Sequence, residues 1–204
     1  MPERTSIIPS GADYSGAIEV FRAGGVIAYP TETFYGLCVD PFNENAVEAL
    51  YGLKGRPLSS PIPLIIGDAG MLGSITSDVT PLANKLIQRF WPGPLTLVLK
   101  AVPELPPRLT AGTGTVGIRL SGSAHARRLS VTLSSPITST SANPSGKPPA
   151  TRPEEALSYF DGSIRMLIDG GALKGEKGST IVDATGEAPV IIREGEIPSA
   201  LIIG

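Results

Sequence analysis

The sequence holds one cysteine, Cys38, and one histidine, His125, in 204 residues. That excludes an intrachain disulfide and every familiar zinc site built from cysteine and histidine. Cys38 stands between Leu37 and Val39, a setting that suits a small core residue better than a nucleophile. No apolar run approaches the ~20 residues that cross a bilayer. Residues 1–10 lack the charged-then-apolar form of a signal peptide, so the chain reads as cytoplasmic, with no membrane partner. A net charge of −2 supplies no global basic field for nucleic acid, although a local basic cleft is compatible with it.

The usual nucleotide fingerprints are missing too. There is no G-x-x-x-x-G-K-[ST], and the glycines near Gly24 lack the dinucleotide pattern. Gly112-Thr113-Gly114-Thr115 leads into a strand, whereas phosphate-binding glycine loops lead into a helix. If a nucleotide binds, it does so by another route.

What the sequence has in quantity is turn formers. With 24 glycines and 20 prolines, many tight turns and short strands are expected rather than a helical bundle. Hydrophobic residues at 41% and charged residues at 18% give an ordinary globular balance, and the length suits one well-buried domain. Helices are predicted over residues 11–23, from about Asn43, over 81–90, 124–133 and 152–160, where apolar residues recur at helical spacing. Asn43 or Asn45 is the expected cap of the second. Strands are predicted over 26–29, 62–66, 95–99, 115–120, 166–168, 179–182 and 190–192. Alternating helices and strands early, with strands dominating later, point to an α/β domain with a mixed parallel and antiparallel sheet.

Three stretches carry candidate chemistry. The strand at 26–29 halts at Pro30 and releases a loop with hydroxyls at Thr31, Thr33 and Tyr35. Ligands of open α/β sheets usually sit at that end of a strand. Farther on, Lys54-Gly55-Arg56-Pro57 brackets a glycine with two cations, which suits phosphate or carboxylate oxygens, though alone it also describes an ordinary solvated loop. Ser139-Thr140-Ser141-Ala142-Asn143 offers short donors on a backbone stiffened by prolines; alone it also reads as a polar turn.

Together these stretches resemble the YrdC-like family, the threonylcarbamoyl-AMP synthases. The resemblance rests on P-T-E-T-F-Y-G-L at 30–37 followed by K-G-R-P, then W-P-G-P-L-T at 91–96 and T-V-G-I-R at 115–119. It continues with S-T-S-A-N-P-S-G at 139–146, S-T-I-V-D at 179–183 and R-E-G at 193–195. These run in order over about residues 16–197, and six in sequence are a specific signal. The resemblance implies a single twisted α/β domain spanning 1–204, with an open cationic cleft and no second C-terminal domain.

It also implies synthesis of L-threonylcarbamoyl-AMP from L-threonine, bicarbonate and ATP, with release of pyrophosphate, for threonylcarbamoyladenosine at tRNA position 37. A downstream threonylcarbamoyl-transferase complex would use the product. Carried over by motif, Thr33, Arg119, Ser139 and Ser179 contact L-threonine, with Arg119 as the fork for its carboxylate. Lys54, Arg56, Ser60, Thr115, Ser141, Asn143 and Arg193 line the ATP side, with Lys54 and Arg56 as the catalytic cations nearest the phosphates. Magnesium is expected on the phosphates rather than in a protein cage, so no metal ligands are assigned.

The sequence departs from the pattern in three places. Many members have Asn where Ser60 stands, and a threonine-contacting His where Ile65 stands; Ile65 donates no hydrogen bond. After Arg119 the usual P-x-H-P is replaced by Leu120-Ser121-Gly122-Ser123-Ala124-His125. Two rivals follow: a same-fold paralogue that lacks the activity or uses another carbamoyl acceptor, and a module that binds tRNA or double-stranded RNA without catalysis.

Overall fold

The computed structural model describes residues 4–204. The first half of the chain forms β1 (Ser6–Pro9), α1 (Gly16–Arg22), β2 (Ile27–Pro30), β3 (Tyr35–Cys38), α2 (Glu44–Lys54), β4 (Leu64–Ile66), a short 3-10 helix (Ala69–Ser74), α3 (Pro81–Phe90) and β5 (Leu95–Lys100). The second half forms α4 (Pro107–Thr110), β6 (Thr115–Leu120), α5 (Ala124–Leu133), β7 (Ile137–Thr138), β8 (Thr140–Ser141) and α6 (Pro153–Phe160). It ends with β9 (Met166–Asp169), β10 (Thr180–Asp183), β11 (Val190–Arg193) and α7 (Ala200–Ile203).

The strands make two mixed sheets where the sequence predicted one. The first has the order β1-β9-β2-β3-β8, and the second β11-β10-β5-β6-β4-β7. The second sheet alternates: β10 runs parallel to β5, β5 antiparallel to β6, β6 parallel to β4 and β4 antiparallel to β7. The chain passes between the sheets after β3, β7 and β9, and the second of these passages spans a single residue. Ile137 and Thr138 pair with β4 in one sheet, whereas Thr140 and Ser141 pair with β3 in the other. Ser139 between them is anchored by its own N–H, which donates to the Pro63 carbonyl at 2.7 Å. Thr138 ties the two sheets from its side, its hydroxyl accepting from the Val39 N–H at 2.9 Å.

The larger core joins apolar faces of both sheets, including Ala28 and Leu37 from one and Leu64, Leu97 and Ile118 from the other, with Val47 and Leu50 of α2. A second cluster joins Tyr14, Ala17, Phe21, Tyr29, Ile65, Ala126 and Leu129, so that α1 and α5 cover a separate face. Cys38 lies fully buried in that cluster, and burial pushes its thiol well above the ordinary range. It is a core residue, as its neighbours suggest.

Two helix ends place functional groups. The Asn43 side chain accepts from the Ala46 N–H at 3.1 Å and caps α2 at its start. Gly55 ends that helix in the left-handed region at φ 57, which glycine enters without a Cβ clash. Lys54 therefore sits in the last helical turn and Arg56 on the departing loop. Helices α3 and α5 and strand β6 occupy the spans their periodicity predicts. Helix α1 begins later than residue 11, because the Asp13 carboxylate accepts from the Ser15 N–H and turns the chain first. Strands β1 and β3 were not predicted. β3 carries Gly36 and Cys38 among its four residues, which hides it behind the hydroxyl-rich loop.

Candidate active site

A cleft of about 300 Å³ opens at the seam between the sheets. The first sheet contributes Tyr35, Gly36, Thr140 and Ser141 to its wall, and the second contributes Thr96, Arg119, Ile181 and Arg193. The loops after β2 and α2 add Thr33 and Arg56.

Arg119 lies near the end of β6 and is only 5% exposed. Its Nη1 pairs with Glu32 Oε1 at 2.6 Å, and its Nη2 reaches toward Ser139 Oγ at 3.5 Å. The far oxygen of Glu32 accepts from the Ser121 hydroxyl. Burial pushes the Glu32 carboxyl up, but the Arg119 guanidinium and the Ser121 hydroxyl outweigh it and hold the group below its ordinary value. Thr33 is presented by a tight turn in which Thr31 Oγ1 accepts from the N–H groups of Thr33 and Phe34, at 3.1 and 3.2 Å. The Thr31 and Thr33 hydroxyls are 3.1 Å apart.

Arg193 donates from Nη2 to the Ser179 carbonyl at 2.7 Å, with Ser179 Oγ at 3.4 Å. Thr96 Oγ1 lies 2.9 Å from the same Ser179 hydroxyl. This packing needs Gly195, where a Cβ would stand 2.1 Å from the Gly178 carbonyl oxygen. Burial first, then the charges of Arg119 and Arg56, lower the Arg193 guanidinium, which thus feels both other cations of the cleft. Arg56 is held by carbonyls alone, donating from Nε to Ser60 at 3.2 Å and from Nη2 to Pro61 at 3.0 Å.

Lys54 and Asn143 sit behind the cleft wall. The Lys54 ammonium is 3% exposed and donates to the carbonyls of Ser141 and Asn143, the latter at 2.6 Å. Its own carbonyl accepts from the Ser145 N–H at 2.8 Å. Burial, and after it Arg56, push its pKa down to about 8. The Asn143 amide donates to Lys147 O at 2.6 Å and Pro144 O at 3.0 Å, while its oxygen accepts from Ser141 Oγ at 2.5 Å. Both side chains thus brace the 141–147 loop from inside.

The structure brings Thr33, Arg56, Arg119, Ser139, Ser141, Ser179 and Arg193 into one cleft. Lys54, Asn143, Ser60 and Thr115 lie outside that lining. Thr115 starts β6 four residues before Arg119, roughly 13 Å along the strand at ~3.3 Å per residue. Its hydroxyl pairs with Thr113 Oγ1 at 2.9 Å. Ile65 is in register with Arg119 on the neighbouring strand and shares its face, yet it is fully buried in the second cluster. Thr31, a hydroxyl of the loop after β2, also lines the cleft. Thr96 on its wall and Glu32 behind Arg119 were not singled out from the sequence, although both fall inside the stretches P-T-E-T and W-P-G-P-L-T.

Among the described residues no three His, Cys, Asp or Glu side chains converge on a metal position. No described helix is long and apolar enough to cross a membrane.

A seam between two mixed sheets, lined by three guanidinium groups and several hydroxyls, marks this as an α/β protein with a cleft between its sheets. A family model described as telomere recombination, that of Sua5, YciO and YrdC, matches residues 19–195. The chain belongs to that family. It is 40% identical to a threonylcarbamoyl-AMP synthase of Bacillus subtilis over 89% of its own length and 53% of the relative's. A solved structure of Pyrococcus abyssi Sua5 complexed with L-threonine is 34% identical and superposes with a TM-score of 0.92, covering 98% of this chain and 61% of that one. The crystal structure of E. coli YciO is 30% identical with a TM-score of 0.85, covering 97% of this chain and 98% of that one. The chain thus spans about half the length of the Bacillus subtilis relative.

Proposed function

We propose that this chain synthesises L-threonylcarbamoyl-AMP from L-threonine, bicarbonate and ATP. The observation that carries the reading is the meeting of Arg56, Arg119 and Arg193 with Thr33, Ser139, Ser141 and Ser179 in one cleft. Membership of the family and the likeness to a threonine-complexed relative support it. In this reading the amino-acid carboxylate meets Arg119, and its polar groups meet Thr33, Ser139 and Ser179. The nucleotide takes the side of Arg56, Arg193 and Ser141, with Ser60 and Thr115 at its margin. Lys54 and Asn143 act on the nucleotide through the loop they brace.

The chemistry needs no protein nucleophile. The neutral threonine amine attacks the bicarbonate carbon, water leaves, and a carbamate forms. A carbamate oxygen then attacks the α-phosphorus of ATP, the bond to the β-phosphate oxygen breaks, and pyrophosphate departs. The protein aligns the reactants and offsets charge on the triphosphate, the tasks for which fixed cations and hydroxyls are suited. Magnesium travels with the ATP phosphates, since hydroxyls and guanidinium groups form no carboxylate cage for it. The product serves threonylcarbamoyladenosine formation at tRNA position 37 through a downstream transferase complex.

Incubation with ATP, bicarbonate and each amino acid in turn, with mass detection of the adenylate, tests this. The expected product is the threonine adduct. An adenylate formed only with another amino acid would favour the paralogue reading, for which the buried, non-donating Ile65 beside Arg119 is the motivating feature. No adduct with any amino acid would sink the synthase reading.

A further inference from the structure

We propose that Glu32 sorts the two anions of the cleft, reserving the Arg119 end for a singly charged carboxylate and leaving multiply charged phosphates to Arg56 and Arg193. This rests on the proposed threonine site and assigns it a specificity-determining residue. Three arginines line the cleft, and any of them can bind a phosphate. They are not equivalent. The hydrogen bonds of Arg56 and Arg193 go to neutral carbonyls and a hydroxyl. Among the described residues, Arg119 alone of the three carries a carboxylate partner, Glu32, at 2.6 Å.

Glu32 stands behind Arg119 rather than in the cleft. It is absent from the cleft wall, its side chain is 18% exposed, and the Ser121 hydroxyl holds its second oxygen. A Cβ on Gly122 would lie 3.7 Å from both Glu32 Cβ and Cγ, so the backbone packs against the acidic side chain. The carboxylate takes Nη1 and leaves the Nη2 edge toward Ser139 for a ligand. A ligand oxygen on that edge comes within roughly 5–6 Å of the Glu32 charge, where like-charge repulsion in a partly dry site is large and grows with each added negative charge. A threonine carboxylate meets that repulsion once. A diphosphate group meets it two or three times over.

The test is calorimetric titration of L-threonine into the full chain, with and without saturating magnesium pyrophosphate, in wild type and Glu32→Gln. The amide introduced by that substitution is uncharged yet keeps an oxygen for Nη1, so the comparison isolates the charge. Wild type is expected to hold its threonine Kd within about twofold when pyrophosphate is added. Glu32→Gln is expected to show at least a roughly tenfold rise in apparent threonine Kd under the same pyrophosphate, with threonine and pyrophosphate now competing. Glu32→Asp, which keeps the charge, is expected to respond as wild type does. Equal responses of wild type and Glu32→Gln overturn the proposal, as does a Glu32→Gln chain that loses threonine affinity without gaining pyrophosphate competition. Should that variant not fold, competitive displacement of threonine by pyrophosphate in wild type is itself sufficient to overturn it. Failure of the underlying site reading shows separately, as wild type that binds no threonine in either condition.

Discussion

Single side chains divide into those that face the cleft and those that brace its walls. Arg119 belongs to the first kind. A charge-assisted hydrogen bond is worth ~1.5–3 kcal/mol, so Arg119→Ala should raise the threonine Kd roughly ten- to a hundredfold. Nucleotide affinity measured in parallel should change little, whereas Arg56→Ala should show the reverse pattern. An unchanged threonine Kd in Arg119→Ala would remove that residue from the site. Lys54 belongs to the second kind, and its pH behaviour separates it from a solvated lysine. Its folded pKa, about 8, lies below the ordinary 10.5 because burial disfavours the ammonium. Below pH 8 the ammonium is present in folded and unfolded chains alike, and the full cost of burying it applies. Between about 8 and 10.5 the folded chain releases this proton first, the unfolded chain holds more protons, and stability from this group rises with pH. Denaturation midpoints of wild type and Lys54→Met, compared at about pH 7 and pH 10, should show wild type gaining on the variant as pH rises. A difference independent of pH would contradict this.

At this scale the sequence was legible where a motif fixed a residue type and opaque where a role depended on a partner. Arg119 and Arg193 could be named from their strands. That Glu32 would pair with Arg119 across 87 residues depends on how β2 and β6 are brought together, and no local spacing encodes it. Lys54 was placed beside the phosphates by the family motif, since Lys-Gly-Arg-Pro alone also describes a solvated loop. Its inward turn onto two carbonyls follows from the tertiary position of the 141–147 loop.

Among the elements, the seam at Ser139 and the strand pair β10 and β11 shape the cleft. Helices with clear periodicity and caps, α3 and α5, were readable to their ends. Short strands such as β7 and β8 were not, since two residues carry no period and their partners lie in different sheets. The cap of α2 matters to the site because it fixes the helix that delivers Lys54 and Arg56. Asn43→Ala should therefore cost ~1 kcal/mol of stability, read as a lowered denaturation midpoint. Gly195→Ala should be more severe, because its methyl would meet the Gly178 carbonyl at 2.1 Å. The chain must move there, and Arg193 moves with it. Weakened nucleotide binding with threonine binding largely kept is the expected signature. Intact nucleotide affinity in a folded Gly195→Ala chain would show that Arg193 is not positioned this way.

For the molecule as a whole, the class was legible and the sheet count was not. Alternating helices and strands indicated a mixed α/β fold, but strand partnership is a long-range property that periodicity does not record. The division into two sheets is what creates the cleft, for each sheet supplies one wall, and Ser139, where the chain passes from β7 in one to β8 in the other, lines it. The central claim is that this seam seats an amino acid and a nucleotide together. It is tested most directly by titrating L-threonine into the full chain alone, and again with the site saturated by an ATP analogue that cannot be cleaved between its α- and β-phosphorus atoms. Simultaneous binding of one threonine and one nucleotide per chain, with threonine affinity equal or tighter in the presence of the analogue, is the result predicted. Mutually exclusive binding, in which either ligand displaces the other, would contradict the account.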